Sequence, residues 1–143
     1  NSVDFFDDAW PGRKENGHWS VLGNTQTLLD SLGDYSGVVV AIGNNKIRQE
    51  KIGLLHQAGA ALVNIVHPSA QVSRYAVLGD GVVVFAGAVV NVDAQIGSGA
   101  IINTGASVDH DCILGSAVHI SPGARLAGGR RPAPDHVGGA RRA

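Results

Sequence analysis

A six-residue repeat in the second half of the chain restricts its fold more than any other feature. From Val66 onward, every sixth residue is Val, Ile or Leu over eleven consecutive positions: Val66, Val72, Leu78, Val84, Val90, Ile96, Ile102, Val108, Leu114, Ile120 and Leu126. The residue four places after each of the first ten anchors is small or β-branched, from Ala70 to Ala124. A period of six fits neither an α-helix nor an alternating strand, so it predicts coils of three short strands with the anchors stacked inside.

The corners of such coils need residues with unusual backbone freedom. The position directly after the anchor is often Gly or Asn, as at Gly79, Asn91 and Gly97. Because these residue types tolerate positive φ, we expect this position to form the corners. The chain has 20 glycines in 143 residues and only 5% aromatic residues, so the core must be built from small aliphatic side chains.

The net charge and the cysteine content argue against several classes of protein, including nucleic-acid-binding, membrane-bound and disulfide-stabilised ones. The formal net charge is −1, which predicts neither nucleic acid nor a membrane surface as a partner. The sequence contains no signal peptide and no long apolar span. The single cysteine, Cys112, excludes an intramolecular disulfide, fits a reducing, cytoplasmic compartment and occupies a small inward position, so we expect a core thiol.

The first 65 residues follow a different pattern. Strands are predicted over 3–8, 37–43 and 60–66, and helices over 24–32 and 45–59. The second helix has Ile47, Leu54, Leu55 and Ala58 as its predicted buried face. This order predicts an α/β fragment with a small parallel, Rossmann-like sheet.

Ligands of parallel sheets bind beyond the carboxyl ends of the strands. Three residues of the predicted sheet lie at such ends: Asp7, Asp8 and Gly43. We therefore expect ligand contacts at these positions.

The stretch INTGASVDHDCILGSAVHISPGA, residues 102–124, places His110 and His119 in an otherwise small and aliphatic run. An imidazole with a pKa near ~6.5 can accept a proton at neutral pH, and an adjacent carboxylate such as Asp111 can orient it. The spacing alone leaves open whether His110 points into the column or out of it.

A combination of motifs resembles one known family. FFDD, AIGNNKIR and HPSA precede coils that contain INTGASVDHDC and VHISPGARLAGG. Together, over residues 3 to about 128, they resemble the NeuD/PglD-like sugar acetyltransferases, which include the perosamine N-acetyltransferases. The resemblance implies a single-stranded left-handed β-helix over 66–128, after a nucleotide-sugar-binding α/β domain over 1–65.

The same resemblance implies an activity and the residues that perform it. The reaction is transfer of an acetyl group from acetyl-CoA to an amino group, or a hydroxyl group, of a sugar that is usually nucleotide-linked. By motif position, His110 corresponds to the general base and Asp111 to the residue that supports it. His119, Gly128 and Asn103 correspond to residues of the acetyl-CoA cleft.

The resemblance also covers the substrate and the assembly. Asp7, Asp8 and Gly43 correspond to residues that hold the nucleotide sugar. The family forms homotrimers with each active site between two neighbouring β-helices, and its reaction needs no metal.

Three alternatives remain open at this stage. The acceptor could be a hydroxyl group of sialic acid rather than an amine. Hexapeptide coils also build a γ-carbonic-anhydrase-like zinc enzyme, which needs three converging histidines, whereas His110 and His119 lie half a coil apart. The chain could also be a truncated, inactive relative.

The third alternative has support at both ends of the sequence. The chain begins at Asn1 and lacks Met, and the first strand and glycine-rich loop of the family would precede residue 1. After Leu126 the repeat stops, and residues 129–143 are rich in Arg, Pro and Gly. We expect this tail to be disordered and the open end of the β-helix to weaken acetyl-CoA binding.

Overall fold

The computed structural model describes residues 2–131, which form two compact units. The first unit ends at Ser36 and the second begins at Gly37, whereas the predicted boundary lay after residue 65. Residues 37–65 group with the coils because Arg48 donates hydrogen bonds to the backbone carbonyls of Gly99 and Ala117. No helix within residues 2–131 is long and apolar enough to cross a membrane.

The first unit is a small mixed sheet with one helix. Its elements are β1 (Phe5–Phe6), β2 (Glu15–Asn16), β3 (Trp19–Gly23), α1 (Thr25–Asp30) and a 3₁₀ turn over Leu32–Asp34. The strand order is β1-β3-β2, with β1 parallel to β3 and β2 antiparallel to it. The helix begins after Asn24, whose side-chain oxygen accepts a hydrogen bond from the Thr27 N–H, as its sequence predicts.

The predicted Rossmann-like sheet is present only in part. Parallel pairing occurs between β1 and β3, and at one isolated bridge that joins Val38 to Leu62. Residues 37–43 therefore do not form the continuous buried strand that was predicted, although Val40 is buried. An apolar run shows that a segment prefers burial, but it does not supply the partner strand on which a sheet depends.

The second unit begins with the helix α2 (Asn45–Gln57). Asn44 caps it by accepting a hydrogen bond from the Ile47 N–H, and Gly59 ends it with φ +80°. The predicted buried face is confirmed only at Leu55 and was wrong at Ile47, Leu54 and Ala58. Ile47 and Leu54 are 44% and 41% exposed, whereas Arg48 and Leu55 are buried. Hydrophobicity alone could not identify this face, because its most deeply buried member is a charged residue.

The hexad repeat folds into a three-sided parallel β-helix. Its strands are β4 (Ile65–Val66), β5 (Gln71–Val72), β6 (Val77–Leu78), β7 (Val83–Val84), β8 (Val89–Val90), β9 (Gln95–Ile96), β10 (Ile101–Ile102), β11 (Ser107–Val108), β12 (Ile113–Leu114), β13 (His119–Ile120) and β14 (Arg125–Leu126). Each anchor is the second residue of its strand, and the anchors from Val84 to Ile120 are buried, as predicted. The three sheets have the orders β4-β7-β10-β13, β5-β8-β11-β14 and β6-β9-β12.

Strands pair in register at a separation of one coil, so that Ile102 lies beside both Val84 and Ile120. The anchors from Val84 to Ile120 and the small residues between them form one buried column that includes the thiol of Cys112. Val72, Leu78 and Leu126 are partly buried against it, whereas Val66 is 42% exposed. The Cys112 Sγ lies 3.3 Å from the Ala127 carbonyl oxygen, which confirms it as a core thiol.

The corners of the coils are not at the predicted position. Positive φ occurs three residues after the anchor, at Gly81, Gly87, Asp93, Gly99, Gly105, Asp111, Ala117, Gly123 and Gly129. Glycine directly after the anchor serves close packing between coils instead. A Cβ atom at Gly97 would lie 2.5 Å from the backbone carbon of Gly115.

The coil pattern extends slightly past the predicted end at residue 128. The Gly129 N–H donates to the His110 carbonyl, and the Ile113 N–H donates to the Arg130 carbonyl. Residues 132–143 of the predicted tail lie outside the described residues.

Candidate active site

His110 and Asp111 form a hydrogen-bonded pair at the corner between β11 and β12. The two side chains are 58% and 65% exposed, so His110 points out of the column. Asp111 has φ +57°, and its Oδ2 lies 2.7 Å from His110 Nδ1. Because a carboxylate can only accept, Nδ1 carries the proton and Nε2 is left as the basic nitrogen. The hydrogen bond to Asp111 and the nearby charge of Asp109 raise the pKa of His110 above its usual value.

The backbone of this corner is fixed by Asp109. Its Oδ1 accepts hydrogen bonds from the His110 N–H at 2.8 Å and from Asn91 Nδ2 at 3.0 Å. These two bonds lower the pKa of Asp109, so that it is ionised at neutral pH.

Gly128 lies one coil after His110 and supports the imidazole ring. A Cβ atom at this position would lie 2.7 Å from both Cε1 and Nε2 of His110. Only a glycine therefore allows the ring to occupy this place. The structure thus brings Gly128, predicted as a cofactor contact, next to the predicted base.

His119 and Asn103 form a second pair, on the adjacent strands β13 and β10. Asn103 Nδ2 lies 3.0 Å from His119 Nε2, while its Oδ1 accepts from the Thr104 N–H at 2.8 Å. With the amide oxygen engaged by the backbone, the amide nitrogen donates to Nε2 and the His119 proton sits on Nδ1. Burial, and then the charge of Arg48, lower the pKa of His119, so this ring is neutral at pH 7.

The two histidines belong to different parts of the coil. His110 lies between the sheets that contain β11 and β12, whereas His119 lies within the sheet of β13. Among residues 2–131, no group of three or more His, Cys, Asp or Glu residues is placed to hold a metal ion.

The predicted sugar-binding residues lie in both units. In the first unit, Asp7 follows β1, accepts from the Ala9 N–H and pairs with Arg13 at 3.0 Å. Asp8 accepts from the Thr25 N–H at 2.9 Å. Both carboxylates thus stand at the end of a strand, as predicted, and both stabilise the local turn and the start of α1.

Gly43 belongs to the second unit and lies just before α2. A Cβ atom there would meet no heavy atom within 4 Å, and its carbonyl oxygen is 3.1 Å from Arg48 Nη1.

Arg48 is the main residue that sequence reasoning missed. Its side chain is 1% exposed, and it donates five hydrogen bonds to the oxygens of Ile42, Gly43, Asn45, Gly99 and Ala117. Burial lowers its pKa from the usual value. The available signal was its spacing, because Arg48, Ile52 and Leu55 lie on one face of a capped helix.

Comparison with known proteins gives a family profile and several structures. The profile of the PglD N-terminal domain matches residues 1–53. The acetyltransferase domain of PglB from Neisseria gonorrhoeae is 40% identical with a TM-score of 0.78, over 86% of this chain and 60% of that chain. This domain is also known in complex with acetyl coenzyme A.

Two further structures are similar. A mutant of perosamine N-acetyltransferase from Caulobacter crescentus, in complex with CoA and GDP-perosamine, is 43% identical with a TM-score of 0.77, over 83% of this chain and 58% of that chain. WeeI from Acinetobacter baumannii is 26% identical with a TM-score of 0.72, over 85% of this chain and 57% of that chain. The chain thus spans about 60% of the length of the PglB domain. Among curated protein sequences, none matches significantly.

Proposed function

We propose that this chain, which is similar to the NeuD/PglD-like sugar acetyltransferases, transfers an acetyl group from acetyl-CoA to an amino group of a nucleotide-linked sugar. The observation that carries this proposal is the exposed pair of His110 and Asp111, which leaves His110 Nε2 free to accept a proton. Similarity to structures that contain acetyl-CoA, CoA and GDP-perosamine supports the choice of donor and acceptor.

The pair suits general-base catalysis of acyl transfer. His110 Nε2 takes a proton from the sugar amine as the amine nitrogen attacks the thioester carbonyl carbon. The carbon–sulfur bond then breaks, and the proton passes from the imidazolium to the departing thiolate. Asp111 holds the ring through Nδ1 and stabilises its protonated form. A base of this kind contributes roughly 10²–10⁴-fold to the rate.

The remaining roles follow the motif positions. His119, Asn103 and Gly128 contact the acetyl donor in this proposal, and the neutral state of His119 suits it as a hydrogen-bonding group rather than as a second base. Asp7, Asp8 and Gly43 hold the nucleotide sugar.

The proposed assembly also comes from the family. It is a homotrimer of left-handed β-helices with the site between neighbouring chains. The exposure of His110 is compatible with a cleft that a second chain completes.

A thioester-release assay tests the proposal directly. The chain is mixed with acetyl-CoA and a panel of nucleotide-linked amino sugars, with sialic acid included as the hydroxyl acceptor. We expect free thiol to form with at least one amino sugar, and acetylation to be visible by mass spectrometry. Thiol release with sialic acid alone would replace the N-acetyl assignment by O-acetylation, and no release with any acceptor would contradict the function.

A matched pair of histidine variants tests the assignment of the base. His110→Ala should lower kcat by about 10²-fold or more with little change in sugar binding. His56→Ala removes an exposed histidine from α2 and should leave turnover unchanged. Equal turnover in the two variants would remove His110 from its proposed role.

A further inference from the structure

Arg48 is a fully buried cation whose hydrogen bonds all go to neutral oxygens. Nε donates to the Gly99 carbonyl at 2.7 Å, and Nη2 donates to the Ala117 carbonyl at 2.6 Å. Burying a charge is costly unless it is thoroughly hydrogen-bonded, and an apolar residue would fill the same space without that cost. Packing alone therefore does not explain an arginine at this position, and its hydrogen bonds point to an additional role.

The helix that carries Arg48 packs along one stack of coil corners. Gly81, Gly99 and Ala117 follow each other at one-coil intervals, and all three have positive φ. Ile52, one helical turn after Arg48, lies 3.9 Å from a Cβ atom built on Gly81 and 2.1 Å from one built on Gly99. Ile52 thus anchors α2 by apolar packing, while Arg48 reaches the carbonyls of the two later corners.

The guanidinium group contacts the corner at Ala117, which directly precedes the strand that begins at His119. Ala117 has φ +55°, a strained conformation for a residue other than glycine, which must be held by contacts with its surroundings. Arg48 Nη2 holds its carbonyl oxygen, and His119, two residues later, begins β13. The position of Arg48 therefore helps to set where the backbone enters β13 at His119.

The guanidinium group also binds the loop that precedes α2. Nη1 donates to the Ile42 carbonyl at 2.7 Å and to the Gly43 carbonyl at 3.1 Å. Nη2 also donates to Asn45 Oδ1 at 2.9 Å. A single planar group therefore binds the loop at Gly43 and the corner at Ala117 at once, which only the fork geometry of arginine permits.

We propose that Arg48 is a positioning residue that sets the distance between the Gly43 loop and the strand start at His119. The inference rests on the proposed function, in which Gly43 contacts the nucleotide sugar and His119 contacts the acetyl donor. Arg48 then keeps acceptor and donor sites in one arrangement. A misplacement of about 1 Å between reacting groups can lower the rate roughly 10²-fold.

Nuclear magnetic resonance tests the arrangement without any need for activity. Backbone amide signals of residues 43 and 118 and the ring nitrogens of His119 are followed in Arg48→Met, Arg48→Lys and the control Ile52→Ala. In Arg48→Met we expect the amide signals to move and the pKa of His119 to rise, because the neighbouring positive charge is gone. Ile52→Ala should lower the unfolding temperature while leaving the pKa of His119 unchanged.

Arg48→Lys separates charge from geometry, and it carries the test if Arg48→Met does not fold. Lysine keeps the charge, so the pKa of His119 should stay low, but its single ammonium cannot reach both carbonyl groups. The amide signal of Gly43 or that of Val118 should therefore still move. Unchanged amide signals in both Arg48 variants, or the same changes in Ile52→Ala, would overturn the positioning role.

Kinetics then distinguish this inference from the proposed function. With acetyl-CoA and the active sugar, kcat/KM should fall about 10–100-fold in Arg48→Lys, and much less in Ile52→Ala at a temperature where both are folded. Absence of transfer by the unmodified chain would overturn the proposed function alone. Normal kcat/KM in Arg48→Lys would overturn the positioning role alone.

Discussion

The imidazole of His110 rests on the backbone of Gly128, the residue one full coil later, so closely that a Cβ atom there would lie 2.7 Å from Nε2. The same nitrogen is the proposed proton acceptor. The placement of the base thus depends on the absence of a side chain 18 residues away, a dependence that the repeat of the β-helix creates because strands pair at that separation.

Replacing Gly128 with Ala should displace the ring of His110. Gly128 does not have positive φ, so the added methyl group acts through this contact rather than through backbone strain. Because the exposed ring can swing outward, we expect little change in thermal stability but a loss of roughly 10–100-fold in kcat. Gly53→Ala, in open space on α2, is the control and should retain full turnover. Equal kcat in both variants would show that Gly128 does not position the base.

Asp111→Asn should move the pH profile of the reaction to lower pH. The base acts when neutral, so kcat/KM rises with pH through the pKa of His110, which the hydrogen bond to Asp111 raises. Removing the carboxylate lowers this pKa and therefore shifts the acid limb of the profile to lower pH. The plateau should also fall, by roughly 10²-fold, because an amide can hold the wrong tautomer of the ring.

Asp93→Asn is the matched control for this change. Asp93 occupies the equivalent corner one coil earlier, with φ +59°, and has no adjacent histidine. Its variant should keep both the plateau and the acid limb of the unmodified chain. An acid limb that stays in place in Asp111→Asn would contradict the pairing.

Asn103→Asp should move the ring proton of His119 from Nδ1 to Nε2 and raise the pKa of the ring. The amide nitrogen now donates to His119 Nε2, and a carboxylate oxygen in its place can only accept. The ring must then carry a proton on Nε2, and its pKa should rise above the lowered value that burial and Arg48 produce. A titration of the ring nitrogens by magnetic resonance measures this. In the control Asn64→Asp, the retained Oδ1 can still accept from the Val82 N–H, and the pKa of His119 should not change.

Gly99→Ala should destabilise the protein more than Gly105→Ala. Both glycines have positive φ, at +68° and +63°, so each substitution costs about 1–2 kcal/mol of backbone strain. At Gly99 the methyl group also meets the end of Ile52, whereas at Gly105 it meets nothing within 4 Å. We expect a further loss of about 1 kcal/mol at Gly99, measured by urea unfolding. Equal losses would show that α2 does not pack on this corner.

The sequence specified the coiled region almost completely. Each anchor from Val66 to Leu126 is the second residue of a strand, because a local pattern repeated every six residues fixes which side chains turn inward. The motif DHDC likewise predicted that Asp111 supports the ring of His110, and the two side chains do pair, because they are neighbours in the chain and their contact needs no distant segment. The helices α1 and α2 were found for the same reason, through their local caps.

The tertiary structure alone decided the contacts that join distant residues. The Rossmann-like sheet was predicted more fully than it occurs, since residues 37–43 make only the bridge from Val38 to Leu62. The buried face of α2 was predicted correctly only at Leu55. Arg48 was missed because it finds its partners in backbone carbonyl oxygens, which every residue has and which no sequence pattern distinguishes. Periodicity therefore determined where the buried column lies. Long-range contacts with backbone atoms determined how the ring of His110 is placed beside Gly128 and how Arg48 joins the Gly43 loop to the corner before His119.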